Sequence, residues 1–459
     1  MASTAVRGTS GLPGVGGETP GQAASPGGLA KRARFIVDPS TTPGRLRLLL
    51  GVLVLLSLAW GALAAFTVYQ YSSAASSVVA VREPLSLNAQ QIYRHLSDAN
   101  DTAATAFLSG GLEPAAARQR YLADIRAAGT EIETATARGG AMLSGVSADL
   151  ETLAAQLPVY AGEVETARAD NRLGLPLGAA YLREASELMR ATLLPAASDM
   201  YTAENASLHA SSAQATGLPL AAVTLAVGLG IGFVLYRTSR RLRRLTHRVF
   251  NYGLLAAGAA VAVSLLWLAA AYTVGRGDLL AAQARGSAPA EALAQADIAA
   301  LQAHAYESLT LVDNGGDDAY QQDYLRQQRA LGPGPGTLLT AAQTAAVGSE
   351  ASGPATAAIR HARAWYAAHA SVRALDDSGS HPAAVQSVLG SGPGDAGTQF
   401  GALSTDLAAG IAADQATFDS SAHAGQGAFT GLEPGVIVAA LVMAIGCAWG
   451  LNRRLAEYR

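Results

Sequence analysis

Lysine is almost missing from this 459-residue chain. Lys31 stands alone, and the other 31 basic residues are arginine. No Walker-type phosphate loop, Schiff-base lysine or kinase lysine can be built in the body of the protein. Cysteine is as scarce. With Cys447 alone, no intramolecular disulfide can form, so any exported part folds without covalent staples. Charged residues make up 15%, against about 25% in ordinary soluble domains. Aromatic residues make up only 6%, so the 50% hydrophobic content is mostly Ala, Leu and Val, and Ala and Leu favour helix. HExxH, CxxC and GxSxG are absent, and no two histidines lie three or four residues apart. These absences leave catalysis the least supported class: no enzyme, no cofactor and no metal is expected.

Long apolar runs are what the chain does have. Four can cross a bilayer core, which takes about 20 residues: about 48–69, 218–236, about 252–274 and about 434–451. None contains Asp, Glu, Lys, Arg or His. Ion and proton pathways usually place ionisable groups inside spans, which argues against a pump or secondary transporter. Ala62-Leu63-Ala64 would also fit a signal-peptide cleavage site. The length of the run and of the segment before it favours an uncleaved anchor.

Charge is partitioned between the spans. Residues 1–47 carry six basic residues and two acids, 237–248 (RTSRRLRRLTHR) six arginines and no acid, and 452–459 three basic residues and one acid. Residues 70–217 are net −6 and 275–433 net −9. Basic segments flanking spans stay in the cytoplasm. The expected fold is an all-α membrane protein with four transmembrane helices and two extracytoplasmic helical-bundle domains, set in the plasma membrane with both termini cytoplasmic. Its parts are a disordered tail (1–45), spans at 46–71, 218–236, 251–274 and 434–451, bundles at 72–217 and 275–433, a basic loop at 237–250 and a tail at 452–459.

Helical periodicity fills both bundles. Tyr121, Ile125, Ala128, Ile132 and Ala135 step by four and three, as do Leu143, Val146, Leu150, Leu153, Leu157, Tyr160 and Val164. Helices are expected over about 74–109, 114–138, 141–172 and 177–216, with Gly110-Gly111 and Gly139-Gly140 between them and a kink or break at Pro195. The second region runs less tidily: about 278–313, 337–349, 354–376 and 398–430, with a stiff break at GPGPG (332–336) and a loose insert at 378–397. Tyr121-Leu122 and Tyr324-Leu325 follow their double glycines at similar distances, a sign of internal duplication. The pairs Gly228/Gly232 and Gly446/Gly450 suit close helix packing.

Polar candidates lie on the first helix of each bundle. Asp98, Asp101, Thr102 and Thr105 share or border one face beside the stripe Ile92, Leu96, Ala99, Ala103 and Phe107. His304, Glu307 and Thr310 hold a similar place in the second bundle. One reading is a ligand or partner face in a bundle crevice. The other is a solvated face, the norm for charges beside an apolar stripe. On the other side of the membrane, Arg240, Arg241, Arg243 and Arg244 are the candidate docking residues.

A span, a helical bundle and a second span resemble the sensor half of chemoreceptors and sensor kinases. YRTSRRLRRLTHRVF starts like the linker that follows there, but enters another span instead. Two such units joined by a basic segment resemble the actinobacterial four-span GlnX family, through SDANDTAATAFLSGG (97–111), RQRYL (118–122) and YESLTLVDNGG (306–316). The resemblance implies a relay from an extracytoplasmic amino-acid-binding lipoprotein to a cytosolic Ser/Thr kinase of the PknG type, with glutamate or aspartate bound by the lipoprotein. Expected partners are the lipid bilayer, that solute-binding lipoprotein, that kinase and a second copy of the chain as a homodimer, but no nucleic acid. The alternatives are an envelope scaffold and a direct small-ligand receptor.

Overall fold

The computed structural model describes residues 42–139, 146–246, 251–314 and 318–455, with only the backbone for 42–43, 242–246 and 454–455. Residues 1–41 of the expected tail, Leu143, Gly140, Gly315, Gly316, the end of the basic loop and residues 456–459 lie outside them. Every element among the described residues is helical. The first half holds α1 (Thr42–Ser77), α2 (Glu83–Leu108), α3 (Ala115–Gly139), α4 (Ser147–Arg172), α5 (Leu177–Leu188), α6 (Leu194–Thr216) and α7 (Pro219–Thr246). The second holds α8 (Tyr252–Ala282), α9 (Ala288–Asp313), α10 (Ala319–Leu331), α11 (Leu338–Ala345), α12 (Ser352–Asp377), α13 (His381–Leu389), α14 (Ala396–Gly427) and α15 (Leu432–Leu455).

Four rods are long and apolar enough to cross a membrane: Gly44–Leu108, Leu177–Arg241, Tyr252–Asp313 and Ala396–Arg453. Leu55, Leu229, Leu266 and Ile445 are largely exposed on them. An apolar belt of that kind suits lipid rather than water, and the chain is a multi-pass membrane protein. Inside the belt, Trp60 donates its indole N–H to the Thr224 carbonyl at 3.2 Å, and the Thr67 and Thr224 hydroxyls meet at 2.7 Å. The helices α8 and α15 touch backbone to backbone. A Cβ added at Gly253 would lie 2.4 Å from the Gly446 carbonyl oxygen and 2.6 Å from the Gly450 nitrogen. Gly228 packs as closely, on Trp60 and Leu265, so both glycine pairs sit where helices meet.

Prolines shape the rods. One five-residue π turn precedes each of α2, α6 and α9: Val78–Arg82, Met189–Leu193 and Gln283–Ser287. Each is followed, one residue later, by a proline (Pro84, Pro195, Pro289). Proline has no N–H for the carbonyl four residues back. The residue before it bonds five residues back instead, as Glu83 N–H does to Val78 O, Leu194 to Met189 and Ala288 to Gln283. Pro195 therefore neither breaks nor ends its helix; one widened turn absorbs it.

The two halves share one plan of continuity. The outgoing helices, α1 into α2 and α8 into α9, run on through their π turns, while the returning helices are jointed at the span ends. Between α6 and α7, Gly217 is extended (ψ 138°), and Pro219 disfavours helical geometry at Leu218, the residue before it. The freed carbonyls are claimed by three donors. The Tyr71 and Tyr272 hydroxyls donate to Gly217 O at 2.6 and 2.5 Å, and Arg276 Nε donates to Thr216 O at 3.0 Å. Between α14 and α15 the chain turns at 428–431, with Gly431 at φ +76°, and Phe429 stacks on Tyr71. Only the outgoing pair runs on from the helical domains into the spans without a joint.

Away from the spans, the apolar stripes bury as expected. Tyr121, Ala128, Ile132, Leu150, Leu153, Leu157, Tyr160 and Val164 form the core of the first domain with Leu182, Met189 and Leu193. Trp365, Tyr324, Leu301 and Leu403 centre the second. The supposedly loose insert contains a helix, α13, with Pro382 in its first turn and Ala384 and Val388 buried.

Candidate functional site

The two helical domains meet along α2 and α9, which run side by side in parallel. Three polar pairs lock them, each joining residues 203 apart. Arg94 Nε lies 2.8 Å from Asp297 Oδ2, His304 Nδ1 lies 2.6 Å from Asp101 Oδ1, and the hydroxyls of Thr105 and Ser308 meet at 2.9 Å. The buried core tyrosines Tyr121 and Tyr324 stand at the same separation. The halves therefore dock as near-equivalents, in register. Further ties come from Gln302 to the Tyr93 hydroxyl at 3.2 Å and from Arg183 to Asp313 at 2.9 Å.

Behind the seam lies a buried polar knot. Glu307 is 1% exposed and accepts from His369 Nδ1 at 2.7 Å and from the Trp365 indole at 3.0 Å. His304 Nε2 is 3.9 Å away. The His304 ring stacks on Phe400 and the His369 ring on Tyr324. Burial pulls the His304 pKa down, but Asp101, by charge and hydrogen bond, and Glu307 outweigh it and raise it above the usual value. Burial would raise the Glu307 carboxyl; the hydrogen bond and charge of His369, with help from His304 and Trp365, hold it below.

In front of the seam opens a cleft of about 530 Å³. Asp101, Thr102 and Thr105 of α2, Arg120 of α3 and His304 of α9 line one side. The end of α13 and residues Phe400 and Ser404 of α14 line the other. The insert thus walls the cleft, and among the described residues α13 has no counterpart in the first half. Arg120 is 54% exposed and pairs with Asp98 at 2.7 Å. Burial pushes Asp98 up to about 6, against the pull of Arg120.

The sequence candidates distribute accordingly. Asp101, Thr102, Thr105 and His304 reach the cleft and Asp98 joins it through Arg120, whereas Glu307 lies behind it in the second domain. Thr310 bonds back to its own helix, at Tyr306 O. Asp101, Thr102, His304, Glu307 and Thr310 are all buried, so the face is not a solvated one. Arg120, Phe400, Ser404, Arg94 and Asp297 were not among the candidates; aligning the halves at the spacing of Tyr121 and Tyr324 would have flagged the pairs. Arg240 and Arg241 are exposed at the end of α7. Arg243 and Arg244 follow in its last turn, with side chains outside the described residues.

Residues 74–213 match the family model of the actinobacterial sensor domain. The sensor domain thus takes in the first π turn, the α2 face of the seam and the first domain up to α6. A sensor domain in a membrane protein suggests sensing or signalling. No curated protein and no solved structure matches the chain.

A pH response follows from the sensor domain's acids. Burial, and then the charge of Asp419, push Glu83 up to about 7 while His423 pulls the other way. Glu83 and Asp98 hold protons in the fold at pH values where the unfolded chain, at 4.5 and 3.8, has lost them. Stability therefore falls as pH rises through that window. The raised His304 adds to the trend, since its contribution is lost as pH climbs past its folded value. The lowered Glu307 acts oppositely, and only below its unfolded value of 4.5. The thermal midpoint of the detergent-solubilised protein is expected to be higher at pH 5 than at pH 8, and Glu83→Gln to shrink the difference. A midpoint that rises from pH 5 to pH 8 would contradict this.

Proposed function

We propose that this protein is a non-enzymatic signal relay of the cell membrane, with the arginine loop and both termini in the cytoplasm and the two helical domains outside. The charge partition between spans supports that orientation. One arrangement carries the reading. The outgoing helices are tied together at the seam and run unbroken into the membrane, while both returning helices are jointed where they enter it. A change in the α2–α9 seam is then passed to α1 and α8 as a rigid shift, of about 1–2 Å if it resembles other interface helices. The joints at Gly217 and Gly431 let α7 and α15 respond separately. Whatever drives the shift must bind one seam arrangement more tightly than the other.

The resemblance to GlnX-type proteins supplies candidate partners. An amino-acid-binding lipoprotein would engage the domains outside, and a Ser/Thr kinase would engage Arg240, Arg241, Arg243 and Arg244 inside. The loop between α7 and α8 is too short to hold an output domain of its own. Co-purification from native membranes followed by mass spectrometry is expected to recover a solute-binding lipoprotein and a cytosolic Ser/Thr kinase. Recovery of neither would count against the relay.

The cleft favours a second reading, a direct small-ligand receptor. Arg120 beside Asp101 offers a cation and an anion to one zwitterion. Stabilisation of the whole protein by an amino acid, with no lipoprotein present, would separate this reading from the first.

A further inference from the structure

The four membrane helices pack side by side, and a gap opens between α7 and α8 toward the arginine loop. Helix α15 packs against α1 and α8 with backbone-level contacts at Gly61, Gly253 and Gly446. Between α7 and α8 the close contact is at Gly228, where a Cβ would meet Leu265 and Trp60 within 2.7 Å. Toward the arginine loop the two helices part around a groove of about 660 Å³. Its walls are apolar, among them Leu229, Phe233, Leu255 and Ala262. Glycine deepens it: a Cβ added at Gly258 would meet nothing within 4 Å. Leu229, Phe233 and Leu255 are more than half exposed.

The polar lining is gathered at the loop end, as Tyr236, Ser239 and Asn251. Asn251 is already occupied; it donates to Gly450 O and accepts from Leu254 N–H. Arg237, Arg240 and Arg241 adjoin Tyr236 and Ser239 along this end of α7, all exposed and, among the described residues, without a carboxylate partner. Six arginines and no acid lie between 237 and 248.

We infer that this groove is a binding site for an anionic phospholipid. One acyl chain lies between α7 and α8, and the phosphate sits at the mouth against Arg237, Arg240, Arg241 and the Ser239 hydroxyl. Two arguments select this occupant. An apolar groove at membrane depth excludes water and must be filled by hydrocarbon or by another helix. A second copy docked symmetrically on this face would bring its own arginine loop against the first, placing like charges together. A lipid phosphate instead neutralises them, as basic pockets between spans do. The inference does not depend on the relay.

Native mass spectrometry of the full chain tests it, with phosphatidylglycerol and phosphatidylcholine of identical acyl chains. Wild type is expected to retain phosphatidylglycerol selectively. Arg240→Gln/Arg241→Gln should weaken that retention by about 30-fold while leaving phosphatidylcholine unchanged. Gly258→Leu and, from a second wall position, Ala259→Leu should fill the groove and displace the lipid, while Val263→Leu on the outer lipid-facing surface should not. Equal retention of both lipids by wild type would overturn the site. So would undiminished retention in the two groove-filling variants. A wild-type dimer that Gly258→Leu converts to monomer would assign the groove to a second copy instead.

Discussion

Glu307→Ala is expected to lower the thermal midpoint of the whole protein by about 10 °C, and to loosen the second domain before the first. Glu307 is an almost fully buried carboxylate that answers two donors, His369 and the Trp365 indole, and stands beside a third group, His304. Removing it leaves those groups buried without their acceptor. Breaking a buried charged pair on one side typically costs about 3–5 kcal/mol. For a domain of this size each kcal/mol moves the midpoint by about 2–4 °C. Glu307→Gln keeps an oxygen for one donor and should lose less. Trp365 sits at the knot, so indole emission follows the loss directly. A midpoint within about 2 °C of wild type would mean that the knot contributes little, contrary to the usual cost of an orphaned buried charge.

Gly253→Leu should be the most damaging change in the membrane bundle. The new side chain would begin 2.4 Å from a carbonyl oxygen of α15 and within 2.7 Å of two further backbone atoms. No flexible neighbour can give way, so α8 and α15 must separate. Even Gly253→Ala should cost about 3 kcal/mol by overpacking. Gly258→Ala, on the same helix, has open space around it and serves as the neutral control. The readout is the yield of monodisperse protein on size exclusion in mild detergent, low for Gly253→Leu and unchanged for Gly258→Ala. Equal yields would show that α8 and α15 do not meet there.

Much of the architecture was legible because membrane spans and core stripes are written in periodicity and in the absence of charge. The steps of Leu150, Leu153, Leu157, Tyr160 and Val164 translate directly into a buried face. The seam was not legible for a physical reason. A helix pattern records which face is apolar, and a polar face carries the same residues whether water or another helix covers it. Asp101 and His304 become interior only because α2 and α9 lie against each other in parallel, through pairs 203 residues apart. The joints were partly readable, since Pro219 and Gly431 mark them, but apolar residues on both sides hid the interruption. In the 378–397 insert, glycines and prolines outnumbered the helix signal. The short run HPAAVQSVL nevertheless has a proline in its first turn and buries Ala384 and Val388 against the second domain.

A relay through the outgoing helices requires coupling between the seam and the loop side of the membrane. Thr105 and Ser308, whose hydroxyls are 2.9 Å apart, can be replaced by a cysteine pair in a Cys447→Ser background, so that oxidation locks α2 to α9. Spin labels near the loop-side ends of α7 and α15 then report their separation in lipid nanodiscs, oxidised against reduced. The account predicts that locking narrows the distance distribution and shifts its mean by about 1–2 Å, the scale of interface helix movements. Identical distributions in the two states, with the disulfide confirmed by mass spectrometry, would contradict a relay through the outgoing helices.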